Sequence, residues 1–233
     1  MTIGERKLFD LLEEYLVKSN YWKFNNYKKP RIQTNVRPGF LQGLELDFYI
    51  EEYNVAFEFQ GEQHYYFVDK FLMKREDLIK RLVYDVQKDL LCKKNGIILI
   101  KINAKSLFYG AFMNSIYNAF NNYYGYCHSK PLGGHKPSSF SMILDKYSPE
   151  HKIFFSAIRL PKSYNLKKQY NSIAKKYLTM ALYNKDFSSK MNYSFSHIFW
   201  KIFKKMTNEM IKPFLKTGIS SSDVKNHALT IYF

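Results

Sequence analysis

The sequence predicts an α/β protein, a mixed sheet flanked by helices and followed by a mainly helical, basic C-terminal region. Three patterns carry that prediction. Apolar residues recur at helical spacing in 4–18 and 74–94, they alternate with polar residues in 44–50, and an aliphatic run, Ile97-Ile98-Leu99-Ile100-Lys101-Ile102, follows an Asn95-Gly96 stop signal.

In chain order, Leu8, Phe9, Leu11, Leu12, Tyr15 and Leu16 make 4–18 an amphipathic helix, and 31–35 forms a short strand ahead of the Pro38-Gly39 turn. In 44–50 the apolar Leu44, Leu46, Phe48 and Ile50 alternate with Glu45, Asp47 and Tyr49, the signature of a half-buried strand. The four residues Glu51-Glu52-Tyr53-Asn54 turn the chain into a second strand, 55–60, and the two make a hairpin. Residues 74–94 set Leu78, Leu82, Val86, Leu90 and Leu91 along one helix side. The run at 97–102 suits a strand buried on both faces. A helix from about 105 to 123 follows.

Gly125, Pro131, Gly133, Gly134 and Pro137 mark 124–140 as a linker between a first domain over 1–123 and a helical region over 141–233. Helices are expected there at about 141–147, 165–184 and 195–211.

With 46% apolar residues the chain can build a core, and nowhere does it approach the roughly 20 uncharged residues of a membrane-spanning helix. Acids among the first 16 residues argue against a secretory or transit signal, and two cysteines, Cys92 and Cys127, cannot make a disulfide framework. The expected setting is intracellular and reducing: cytoplasm or nucleoid, or an organelle matrix. No zinc site is expected, because Cys127, His128 and His135 lack a second close-spaced pair.

The net charge of +16 is unevenly spread: residues 1–103 hold 17 Lys/Arg against 15 Asp/Glu, and residues 104–233 hold 19 against 5. A basic surface of that size attracts polyanions and neutralises phosphates, which makes nucleic acid the expected partner. The plainer alternative is a lysine-rich solvated surface.

The hairpin is where chemistry concentrates. If it pivots on Glu52 and Tyr53, Asp47 falls opposite Glu58 and Glu45 opposite Gln60, all on one face. Two carboxylates about 5 Å apart repel by roughly 3 kcal/mol at an effective dielectric of 20. A divalent cation with oxygen ligands offsets this, and Mg²⁺ (or Mn²⁺) suits a phosphate substrate because it keeps open positions. A solvent-facing strand surface, where acids cost little, is the alternative.

Asp47, about ten residues, then Glu58-Phe59-Gln60 on a hairpin behind a Glu-bearing helix resembles the PD-(D/E)XK nucleases, a restriction-endonuclease-like core. The stretch Glu58-Phe59-Gln60-Gly61-Glu62-Gln63-His64-Tyr65, then Asp85, Lys88 and Cys92, then Gly96-Ile97 and the aliphatic run, is similar to the branch holding very-short-patch repair and phage homing or restriction-type endonucleases, over residues 4–103.

The resemblance implies a Mg²⁺-dependent endonuclease acting on DNA rather than RNA. Asp47 and Glu58 would be metal ligands, aided by the Phe59 carbonyl, with Glu5 reaching in from the first helix. Gln60 stands where many members carry lysine, and a neutral amide can orient water but supplies no charge. His64 would be a general base or hold the leaving group. Asp85 and Lys88, three apart on a helix, would back the site as a second-tier pair. Plainer roles are a helix-dipole acid for Glu5 and a surface pair for Asp85 and Lys88. The rival reading is a nuclease-fold protein that binds nucleic acid, or builds a nucleoprotein assembly, without cutting.

In the second half, Lys167, Lys168, Lys175, Lys176, Lys201, Lys204 and Lys205 alternate with Tyr170, Tyr177, Phe199, Trp200 and Phe203. Lysines that hold phosphate beside rings that mostly form core would make this half a grip on nucleic acid.

Overall fold

A computed structural model describes residues 1–61, 75–107, 109–128 and 148–158. His64, the seven lysines from Lys167 to Lys205, and the helices expected at 141–147, 165–184 and 195–211 lie outside them. The described residues fall into two compact units, one holding 1–59, 92–107, 109–128 and 148–158, the other holding 60–61 and 75–91.

In the first unit, helix α1 (Ile3–Leu12) opens on a capping box in which the Thr2 hydroxyl accepts from the Glu5 N–H and the Glu5 carboxylate accepts from the Thr2 N–H. A π-helical turn, Glu13–Val17, extends it and keeps Tyr15 and Leu16 buried beside Leu11 and Leu12. The predicted 4–18 helix is thus present, with its last turn wider than an α-helix. A one-turn helix, α2 (Tyr21–Phe24), leads towards the sheet.

Four strands, β1 (Gln33–Val36), β2 (Leu46–Ile50), β3 (Val55–Gln60) and β4 (Ile98–Asn103), form one mixed sheet in the order β1-β2-β3-β4. β1 and β3 both run antiparallel to β2. Between β2 and β3 a 3-10 turn, Glu51–Tyr53, ends at Asn54 with φ 51°, a left-handed conformation that asparagine tolerates. Helix α3 (Arg75–Lys94) crosses from β3 to β4. It ends as the sequence predicts: Gly96 takes φ 73°, its N–H reaches the Lys93 carbonyl, and the Ile97 N–H reaches that of Cys92, a Schellman stop.

Beyond β4, a 3-10 turn (Ala104–Leu107) precedes α4 (Tyr109–His128), so the helix expected at 105–123 runs five residues into the stretch read as linker. Helix α5 (Pro149–Ile158) belongs to the same core, giving it Phe154, Phe155, Ala157 and Ile158.

The core lies on one face of the sheet. Phe48 and Ile50, then Val55, Phe57 and Phe59, then Ile98, Ile100 and Ile102 meet α1, α4 and α5, and the Phe57 ring stacks on Phe112 at 6.3 Å. The expectation of a strand buried on both faces fails for β4, where Leu99, Lys101 and Asn103 are only half-buried. The lysine and asparagine keep that face polar. β3 is the doubly covered strand, all six residues being buried, Glu58 and Gln60 among them.

The second unit is described mainly by α3 up to Leu91. Leu82, Val83 and Val86 are buried there together with the polar Asp85 and Gln87, whereas Leu90 and Leu91 are half-buried.

Candidate active site

The hairpin register decides whether the two acids meet. Phe48 pairs with Phe57, Tyr49 with Ala56 and Ile50 with Val55, each pair summing to 105 as the sequence predicts. One step further sets Asp47 across from Glu58. Side chains so opposed stand with Cβ atoms about 4.5–5.5 Å apart. Because Phe57 and Phe59 point into the core, alternation sends Glu58 to the opposite face, with Gln60 on the same side.

That face is not the solvent-washed surface of the plainer alternative, for Glu58 is 5% exposed. An ionised carboxylate so placed requires compensating charge or hydrogen bonds. Asp47 is half-buried, and its Oδ2 accepts the Phe59 backbone N–H at 2.7 Å. This bond ties the side chain across the hairpin and fixes its direction. The Phe59 contact with Asp47 therefore runs through the amide N–H.

On the other side of β2, Thr34 pairs with Phe48 and Val36 with Leu46, and between them Asn35 turns to φ 50° at the position facing Asp47. Two residues along β2 on the Asp47 side lies Tyr49, whose hydroxyl pKa is raised, first by burial and then by the charge of Glu51. It stays a protonated donor at neutral pH. Glu45 precedes β2, and its carboxylate is held by the Arg37 guanidinium at 2.8 Å, which offsets its charge.

Glu5 occupies the first turn of α1. A Cβ on its neighbour Gly4 would overlap the Phe59 ring, so this turn sits against the residue next to Glu58. The Glu5 Oε2 itself accepts the Thr2 N–H at 2.7 Å. The structure thus brings the Glu5 backbone to the hairpin while giving one carboxylate oxygen to the cap. Asp85 (5% exposed) and the half-buried Lys88 lie in the second unit, on α3.

Among the described residues no group of three or more His, Cys, Asp or Glu is gathered for a metal. The oxygen donors that the hairpin does offer, one buried carboxylate and one held in place by a backbone N–H, fit a cation such as Mg²⁺, which is bound through one or two carboxylates and fills its shell with water and phosphate oxygens. No helix among the described residues is long and apolar enough to cross a membrane.

No known protein family matches the sequence, and no solved structure matches it. Two curated viral proteins do. Over 77 residues the chain is 39% identical to "Uncharacterized protein 094L" of Frog virus 3 (isolate Goorha), covering 33% of this chain and 50% of that protein. Over 72 residues it is 32% identical to "Uncharacterized protein 033L" of Invertebrate iridescent virus 3, covering 28% of this chain and 37% of that protein. The match thus spans half or less of each relative's length.

Proposed function

We propose that this chain is a metal-dependent endonuclease that hydrolyses phosphodiester bonds in DNA, built on a restriction-endonuclease-like core. The observation that carries the reading is the opposition of Asp47 and Glu58 across the hairpin, with Glu58 buried at 5% exposure. Two opposed carboxylates call for positive charge close by, which a divalent cation supplies. Asp47 and Glu58 would hold Mg²⁺, or Mn²⁺ in its place. Bound there, the ion would polarise the scissile phosphate and lower the pKa of an attacking water.

The chain's own residues do the rest. The Phe59 N–H fixes the Asp47 carboxylate, the apolar face beneath holds both strands in register, and Gln60 can orient a water. Cations of the lysine-rich second half, Lys167 to Lys205, supply phosphate contacts and make DNA the substrate reading.

Asp47→Ala is expected to lower Mg²⁺-dependent plasmid cleavage by about a hundredfold or more, the scale of several kcal/mol of lost charge stabilisation. DNA binding, measured by gel shift in EDTA, is expected to persist. A wild-type chain that binds DNA but never cuts DNA or RNA with Mg²⁺ or Mn²⁺ would overturn the enzyme reading in favour of a non-cutting nucleic-acid-binding component, as the neutral amide of Gln60 would suit.

A further inference from the structure

β4 carries a lysine in the row that holds the two acids. The Ile98 N–H donates to the Asn54 carbonyl at 3.0 Å where β3 and β4 both begin, and in a mixed sheet whose other pairs are antiparallel these two strands run parallel. In a parallel ladder that bond sets Ile98 beside Val55. Counting on, Ile100 lies beside Phe57, Lys101 beside Glu58 and Ile102 beside Phe59.

Burial gives the same answer independently. Ile98, Ile100 and Ile102 share the core with Val55, Phe57 and Phe59, so the half-buried Lys101 is on the Glu58 side. With strands about 4.8 Å apart, Asp47, Glu58 and Lys101 form a row across β2, β3 and β4, acid, acid and base.

We propose that Lys101 is a positioning residue of the hairpin site, its ammonium standing beside Glu58 as the built-in counter-charge of the carboxylate pair. A cation in this row offsets the charge of the buried Glu58 and the half-buried Asp47, and its four-carbon stem is long enough to serve either carboxylate. With a divalent ion held by Asp47 and Glu58, the Lys101 ammonium would be placed to meet a phosphate oxygen at the same site. Lys101 thereby brings the positive charge that a glutamine at position 60 lacks. The phosphate-directed half of this role rests on the nuclease reading, whereas the counter-charge half does not.

The test uses the full chain. In EDTA, Lys101→Gln is expected to lower the thermal midpoint by about 5 °C where Glu58 is present, and by less than half as much in a Glu58→Gln background. Lys101→Arg should hold the midpoint. Mn²⁺ titrated alone by calorimetry is expected to bind Lys101→Gln about tenfold more tightly, because a like charge has left the site. Cleavage by the same variant should fall and be partly kept by Lys101→Arg.

Equal midpoint losses in both backgrounds together with unchanged Mn²⁺ affinity would overturn the proposal. So would cleavage that depends on Asp47 and ignores Lys101→Gln, a result that leaves the nuclease reading standing. Coupling between positions 58 and 101 in a chain that never cuts would do the reverse, upholding the counter-charge and removing the nuclease. If Lys101→Gln does not fold, the Arg variant and Glu58→Gln alone still decide, since a buried acid relieved of its charge should then raise the midpoint when Lys101 is not its partner and lower it when Lys101 is.

Discussion

His151 shows how one buried residue sets a pH limit on this fold. It is 2% exposed on α5, with its Nε2 3.2 Å from the Asn54 carbonyl and the rings of Phe120 and Tyr123 edge-on to it at 5.8 and 5.4 Å. A carbonyl can only accept, so Nε2 carries the proton in the neutral ring, and the buried Nδ1 has no hydrogen-bond partner among the described residues. Burial therefore pulls the His151 pKa below its ordinary 6.5, only partly opposed by the Asn54 bond and by Glu150. A histidine depressed in the folded state binds its proton more readily when unfolded. Stability is accordingly full above the unfolded value and falls as pH drops from about 6.5 towards the lower folded value. His151→Gln, which keeps a donor for Asn54 and cannot titrate, is expected to flatten the fall in thermal midpoint between pH 7 and pH 5. Calorimetry across that range giving the same slope for both proteins would assign the acid sensitivity elsewhere.

At the scale of elements, the first turn of α1 depends on a missing side chain. Gly4 is buried against the Phe59 ring, and Gly4→Ala sets two effects against each other. Alanine gains about 0.5–1 kcal/mol in a helix over glycine, whereas forcing a methyl into a packed ring costs typically about 1–3 kcal/mol. Overpacking wins, so Gly4→Ala is expected to destabilise the fold by about 1 kcal/mol in urea unfolding; a stabilised variant would show that Phe59 yields freely. The periodicities that place α1, the hairpin and α3 are visible in the chain because each depends on local alternation or a local stop, as at Asn95-Gly96. The hairpin register was legible for the same reason, since a short turn between two alternating strands allows few pairings. What local pattern cannot carry is the non-local partner. Lys101 stands in a run of Ile and Leu and gives no sign of lying beside Glu58, because that depends on a parallel crossover through α3. Gly4 looks like an ordinary helix start until Phe59 is placed against it, and the packing of Phe154 and Phe155 into the first unit is equally silent in a segment whose composition joins it to the basic half. Glu45 belongs to the alternating pattern, yet nothing in that pattern announces its ion pair with Arg37.

For the whole molecule, the charge of +16 sets how tightly a polyanion is held and how that grip responds to salt. Two stretches could provide it. One is the second half, with Lys167, Lys168, Lys175 and Lys176. The other lies between Tyr15 and Leu44, where six cations occur with no acid, and where Lys23, Lys28 and Lys29 are exposed around a Phe24 ring that is 81% exposed. On duplex DNA each phosphate neutralised contributes about −0.9 to the slope of log affinity against log salt. Replacing Lys167, Lys168, Lys175 and Lys176 by alanine is expected to flatten that slope by about 0.9 for every lysine engaged, measured by fluorescence anisotropy between about 50 and 200 mM salt. Replacing Lys23, Lys28 and Lys29 is the control, expected to change it less. The opposite order would put the phosphate grip on the first unit and leave the second half's charge as a solvated surface. A wild-type slope near zero would remove phosphate contact from both.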